Sequence, residues 1–232
     1  MSDFPYVLMS VDQSLSHCAV VIWRDGVPVY REMIRTGSTK SKGKQSPDVY
    51  YFDTVYEQIE HICKRINELC EEYSPDDYVM EALSLGSIGS ATRDLAGLFY
   101  CIALSLDDCG NHFIEYFNIH TVAPTSVKSF ARSLLPEDEQ WEVKEKLNKK
   151  KNKMVSSKSK VKMDKAMMVK AVNYDCPGWL DGVTLAAGKA DYADAYLIGK
   201  KFLEDYRDWE TDRKSTRLNS SHSGESRMPS SA

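Results

Sequence analysis

The first forty positions alternate between short apolar runs and turn signals. Residues 6–12 (YVLMSVD) form an apolar run ending on an acid, and residues 17–23 (HCAVVIW) form a second run rich in β-branched side chains. A third run, residues 27–34, follows the turn signal Arg24-Asp25-Gly26. Such runs predict strands, joined here as an antiparallel three-stranded meander. After a polar, basic loop over residues 37–46 the period changes. Val49, Phe52, Val55, Ile59, Ile62, Ile66 and Leu69 recur every three or four positions, which predicts one helix over residues 48–73 closed by Pro75. Residues 77–83 (DYVMEAL) read as a fourth strand and residues 84–90 as a Gly/Ser-rich connection. A second helix carries Leu95, Leu98, Phe99, Ile102 and Leu106 on one face. Residues 112–122 read as a fifth strand, and Pro124 opens a helix over 125–135, where its missing N–H is no loss. After a lysine-rich stretch, two more helices are expected over about 163–173 and 189–206, separated by the breaker Cys176-Pro177-Gly178. The order predicts an α/β fold, a mixed central sheet with helices on its faces. The chain has no internal repeat.

Composition narrows this picture. The 232 residues, 42% hydrophobic and 28% charged, suit one soluble globular domain. No apolar run approaches the ~20 residues needed to span a bilayer, so no membrane partner is expected. Residues 1–9 lack the basic flank of a signal peptide and read as the approach to the first strand. Cys18, Cys63, Cys70, Cys101, Cys109 and Cys176 are scattered, with no C-x-x-C pair and no His at zinc-finger spacing. That pattern fits reduced thiols in a cytoplasmic compartment.

The net charge of −4 argues against general affinity for nucleic acid, but its distribution matters more. Residues 144–165 hold ten lysines against Glu145 and Asp164, a third of the chain's 30 basic residues. An acidic body with one basic segment fits phosphate binding at a defined place. The expected organisation is one domain over residues 1–207 with a lysine-rich insert at about 137–162. Residues 208–232 (DWETDRKSTRLNSSHSGESRMPSSA) differ in kind: Ser-rich and nearly free of periodic apolar positions, they cannot offset their ordering entropy. They read as a disordered tail of translated foreign sequence, an expectation under which the natural C-terminus is missing.

Four acids stand where unpaired carboxylates are costly. Asp12 ends the first strand, Glu81 lies between Met80 and Ala82 in the fourth, and Asp191 and Asp194 share a face of the last helix in KADYADAYLIGKK. Singly, each has a plain alternative: Asp12 as a strand-end turn residue, Glu81 facing water, and the helix acids as first-turn residues favoured by the dipole. As a cluster they would repel, and a divalent cation is the simplest compensation. Oxygen ligands alone favour Mg²⁺ or Mn²⁺ over zinc.

The motifs and their order resemble the RuvC family of Holliday-junction resolvases, especially the divergent branch of phages and large viruses. VDQSLSHCAVVI resembles that family's opening strand with its metal-bridging Asp, here Asp12. VMEALSLGSIGSATRDLAGLFYCI resembles the strand bearing its Glu, here Glu81, with the following loop and helix. VAPTSVKSF resembles its V-A-P-x-x-V-K signature and puts a basic residue at Lys128. MDKAMMVKAV puts another at Lys165, and DYADAYLIG resembles the closing D-x-x-D-A with Asp191 and Asp194. The resemblance implies an RNase H-like fold, a homodimer, and a pair of Mg²⁺ ions per site, with Mn²⁺ as a substitute. It implies paired nicks across a four-way DNA junction, with Asp12, Glu81, Asp191, Asp194 and Lys165 as the catalytic set, in the cytoplasm of a phage-infected host cell. Two departures stand out. Ser84 occupies a position where bacterial members often carry a base-stacking aromatic, and Gln13 replaces the usual Gly after the first Asp.

Other basic residues are DNA-contact candidates: Arg93 at the start of the second helix, and Lys149, Lys150, Lys151 and Lys153 in the insert. A solvated loop is the alternative for the insert. Three other functions remain in view: a broader branched-DNA or flap endonuclease, a non-catalytic branched-DNA binder, and an actin-like ATPase. The last needs a duplicated domain for which this chain is too short.

Overall fold

The computed structural model describes residues 5–40, 45–83, 89–109, 119–148, 153–184 and 188–222. The meander forms as expected from β1 (Val7–Asp12), β2 (His17–Arg24) and β3 (Val27–Ser38), paired antiparallel. Asp25 and Gly26, both at positive φ (50° and 80°), close the β2–β3 hairpin as a two-residue turn whose twist matches the strands. β5 (Asp77–Glu81) pairs parallel to β1, and β6 (Ile119–Val122) parallel to β5. The sheet order is β4-β3-β2-β1-β5-β6, which puts β1 inside the sheet.

Alternation along the strands divides the core between the two faces. Met9, Val11, Val20 and Ile22 pack with Ile62, Ile66 and Leu69 of α1 (Val55–Tyr73) and with Leu98 and Ile102 of α2 (Ser90–Cys109). Leu8, Val21, Trp23 and Val79 face a cluster from α3 (Pro124–Ser133), α4 (Lys165–Asp175) and α5 (Lys189–His222). Because β1 and β2 are covered on both sides, they read as near-continuous apolar runs.

Several expectations need correction. The helix predicted from residue 48 begins at Val55, and Tyr50–Phe52 is a short strand, β4, lying parallel to β3 along the sheet edge. The cause is local. Thr54 accepts from the Glu57 N–H while the Glu57 carboxylate accepts from the Thr54 N–H, a capping box that sets the helix start at Val55, beyond Val49 and Phe52. β3 runs four residues past Ile34, taking up positions assigned to a loop. β6 starts at Ile119, and residues 110–118 lie outside the described residues.

The lysine-rich insert is an antiparallel hairpin of β7 (Trp141–Asn148) and β8 (Lys153–Lys160), separate from the main sheet. α5 continues through His222, so the backbone of residues 208–222 is helical where composition suggests a structureless tail; residues 223–232 lie outside the described residues. Among the described residues no helix is long and apolar enough to cross a membrane.

One close approach seats α5. A Cβ on Gly199 would stand 2.4 Å from Trp23 Nε1 and 2.6 Å from Ser10 Oγ, two groups already joined by a buried 2.9 Å hydrogen bond. Only a glycine lets the helix axis come this near to β1 and β2. This contact lies one to two turns after Asp191 and Asp194 and sets how far those acids stand from the sheet.

Candidate active site

The site is built where the C-terminal ends of the parallel strands β1 and β5 coincide. Their register pairs Val11 with Met80, so Asp12 and Glu81 leave adjacent strands side by side. The chain then turns, and Gln13, only 6% exposed, reaches back across the gap. Its Nε2 donates to the Glu81 carbonyl at 2.6 Å, and its Oε1 accepts from the Glu81 N–H at 3.3 Å. On its other side Glu81 pairs with Val122 of β6.

The remaining acids come from the start of α5. Gly188, at φ 86°, turns the chain into the helix so tightly that a Cβ there would lie 2.6 Å from Met33 Cε and 3.3 Å from Asp191 Oδ2. Arg31 of β3 holds the preceding segment: its Nη2 donates to the Asp181 carbonyl at 3.1 Å, and its guanidinium lies 4.9 Å from the Trp179 ring centre and 5.6 Å from that of Tyr192. Asp191 and Asp194 then fall on the face turned toward β1. Asp12, Asp191 and Asp194 each place a carboxylate oxygen within 4.8 Å of the others. Glu81 lies outside that trio but lines a cavity of about 140 Å³ with Asp12, Asp194 and Lys128.

The electrostatics follow from this crowding. Burial first, then the charges of Asp194, Glu81 and Asp191, hold the Asp12 carboxyl well above its ordinary range, and Lys165 opposes them. Asp194 is pushed up to about 6, by burial first and by Glu81 next, against Lys165 and Lys128. Glu81 is raised by burial, with Lys128 pulling the other way. Lys165 Nζ donates to Asp191 Oδ1 at 2.9 Å, and that bond, with the nearby Asp194 and Asp12 charges, raises the lysine above its usual value. A group of carboxylates that disfavours its own ionisation invites a cation. An oxygen-only donor set suits a hard divalent ion such as Mg²⁺ or Mn²⁺.

The structure therefore brings together six of the residues singled out from sequence: Asp12, Glu81, Asp191, Asp194, Lys128 and Lys165. Arg93 stands apart, exposed on α2 in a different cleft with Lys40, Asp53 and Thr54. Lys149, Lys150 and Lys151 lie outside the described residues, as does Ser84; Lys153 opens β8. The base of the hairpin is tied down: Val161 N–H donates to the Gln140 carbonyl at 3.0 Å and Arg132 Nε to the Val161 carbonyl at 3.1 Å. Only residues 161–164 separate it from Lys165. Trp141 pairs across strands with Lys160, Val143 pairs with Lys158, and the Lys158 ammonium lies 5.0 Å from the Trp141 ring centre. Val143 is 69% exposed. The role of Gln13 was not anticipated: sequence marks it only as an unusual residue after Asp12, and its partner is the backbone of a distant strand.

No protein-family model and no curated protein sequence matches the chain. Solved structures do. RuvC of Thermus thermophilus in complex with Holliday junction substrate matches with a TM-score of 0.53 at 11% identity, over 84% of this chain and 92% of that one. RuvC of T. thermophilus in another structure gives 0.49 at 11%, over 84% and 91%. The yeast mitochondrial Holliday junction resolvase Ydc2 gives 0.46 at 16%, over 89% and 84%. The first of these likenesses establishes the fold, an RNase H-like mixed sheet flanked by helices.

Proposed function

We propose that this chain is a divalent-metal-dependent endonuclease that resolves four-way DNA junctions. The observation that carries the reading is the convergence of Asp12, Asp191 and Asp194 within 4.8 Å at the ends of parallel strands, with Glu81 across a small cavity. Two structural elements and a helix bring carboxylates to one point, which a purely structural role does not call for. The fold supports the same reading, because its RuvC neighbour was solved with a Holliday junction substrate.

In this reading Asp12, Glu81, Asp191 and Asp194 hold one or two Mg²⁺ ions, with Mn²⁺ able to substitute. Bound there, the cations supply an activated water and offset the charge that builds on the scissile phosphate. The chain's own residues do the rest. Asp12, on a rigid inner strand, fixes the centre of the site. Lys128 and Lys165 stand on its rim and neutralise phosphate oxygens as the DNA backbone enters. Lys165 also holds Asp191 in place through their 2.9 Å bond. The hairpin of β7 and β8 takes a DNA arm: residues 141–160 carry eight lysines against Glu142 and Glu145, and the described part of one face sets Trp141 and Val143 beside Lys158 and Lys160. Lysines meet phosphates while the apolar groups cover sugars or bases. Two symmetry-related nicks suit a homodimer.

The test uses a labelled immobile four-way junction. Cleavage that needs Mg²⁺, disappears in Asp12→Asn, Glu81→Gln and Asp191→Asn, and leaves junction binding intact is the expected result. Near-normal nicking by Asp12→Asn refutes the assignment. Faster cutting of flaps than of junctions would favour a broader branched-DNA nuclease of the same fold.

A further inference from the structure

We infer that Gln13 is a positioning residue that sets the separation of Asp12 and Glu81 by acting as one further rung of the β1–β5 ladder. This rests on the reading that the four acids hold a divalent cation and extends it to a residue that is neither acidic nor basic.

The ladder between β1 and β5 ends at the pair Val11–Met80. Beyond it the β1 backbone turns away, while Glu81 continues to pair with Val122 on its far side. Without help the near edge of Glu81 would carry an unmatched N–H and C=O in a half-buried cleft, where each lost water partner goes unreplaced. A primary amide side chain offers the same donor and acceptor pair as a peptide unit. Gln13 presents that pair edge-on: Nε2–H to the Glu81 carbonyl at 2.6 Å and Oε1 from the Glu81 N–H at 3.3 Å. Only one orientation of the amide satisfies both bonds, so the flip is determined.

The clamp joins two ligand-bearing residues directly. Gln13 is the neighbour of Asp12 in the chain, and its side chain is bonded to the backbone of Glu81. Because Gln13 is only 6% exposed, its rotamer is held by packing. Asp12 and Glu81 end adjacent strands and line one cavity, where like charges repel. Their strands would relieve that repulsion by splaying at the end where the ladder stops. The Gln13 amide prevents it while leaving both carboxylates free to face the cavity. An Asp or Glu at position 13 would add charge to the cluster, and an apolar residue would leave the ladder open.

The experiment measures Mn²⁺ binding to the intact, full-length protein by calorimetry or electron paramagnetic resonance, beside Mg²⁺ titrations of junction cleavage and a melting curve. Gln13→Met keeps the length and removes both hydrogen bonds. Gln13→Asn stays polar but is one methylene too short, and it carries the test if the Met variant does not fold. Glu81→Gln reports on the cation site itself. Outer-shell partners of ligands typically change metal affinity 10–100-fold, so a roughly tenfold weaker Mn²⁺ affinity and a similar rise in the Mg²⁺ needed for half-maximal cleavage are expected, with junction affinity unchanged. A role confined to stability would lower the melting temperature and leave Mn²⁺ affinity untouched. Wild-type Mn²⁺ affinity in a folded Gln13 variant, with Glu81→Gln weakened, overturns the inference alone. Unchanged binding in Glu81→Gln as well, or no binding by the wild type, overturns the cation-site reading and the inference with it.

Discussion

Replacing Asp194 with Asn is expected to stabilise the cation-free protein while ending its nuclease activity. The Asp194 carboxyl titrates at about 6 in the folded protein against an ordinary 3.8, a displacement of roughly two pH units. At 1.36 kcal/mol per unit the upper figure is about 3 kcal/mol. Solvent screening of this partly exposed carboxylate reduces it to about 1–2 kcal/mol. The sign follows from proton linkage. The folded state binds this proton more tightly than the unfolded state, so the stabilisation is fully present below about pH 3.8 and is lost as pH rises through about 6. Above that, the ionised carboxylate opposes folding. Asn keeps the shape without the charge. In chelator at about pH 7.5, Asp194→Asn should therefore melt about 2–8 °C higher than wild type, at about 2–4 °C per kcal/mol for a domain of this size. At about pH 5 the gain should shrink. Saturating Mn²⁺ should raise the melting temperature of the wild type and much less that of the variant. The assay is thermal unfolding followed by circular dichroism under those conditions. A variant that melts below wild type in chelator at about pH 7.5, or gains equally at both pH values, would refute the reasoning.

Gly199→Ala should lower the melting temperature by several degrees. The new Cβ meets Trp23 Nε1 at 2.4 Å and Ser10 Oγ at 2.6 Å, and overpacking of this kind costs about 1–3 kcal/mol, more than the ~1 kcal/mol that Ala gains in a helix. An unchanged or higher melting temperature would show that α5 is seated elsewhere. Replacing Lys149, Lys150, Lys151 and Lys153 with Ala should weaken junction binding and flatten its salt dependence by about 0.9 in log–log slope per lost phosphate contact, with cleavage largely restored at saturating protein. Equal salt slopes would mean that these lysines do not meet phosphates. Deleting residues 208–232 should leave melting temperature and cleavage unchanged, since the segment carries few apolar side chains. A clear drop in melting temperature would show that the end of α5 belongs to the fold.

The inner strands of the central sheet were legible in the chain, unlike β4 at its edge, because strands covered on both faces must be apolar almost throughout. β1 and β2 show this, as do the helical periods of α1 and α2. Asp12 and Glu81 were visible for the same reason, as acids set in runs that otherwise exclude charge. The start of α1 was readable too, since Thr54 and Glu57 spell a capping box, but helical periodicity running back through Phe52 and Val49 masked it. Both patterns were present, and the hydrogen-bonded cap prevailed over the apolar spacing.

Other features depended on contacts between residues far apart in sequence. Nothing near Gln13 announces that its amide pairs with Glu81, 68 positions away. Gly199 reads as an ordinary helix-weakening residue until Trp23 and Ser10 stand against it. The lysine-rich insert becomes a hairpin through pairing between its own halves, where charge hides the strand pattern. Asp191 is a common first-turn helix acid on its own, and Asp194 an ordinary acid one turn further on. Only the packing of α5 against β1 brings their oxygens within 4.8 Å of one another and of Asp12. Local sequence decides which segments become strands and helices, because propensity and burial period act within a few residues. The distance between carboxylates is set by helix-to-sheet packing, which no local pattern records.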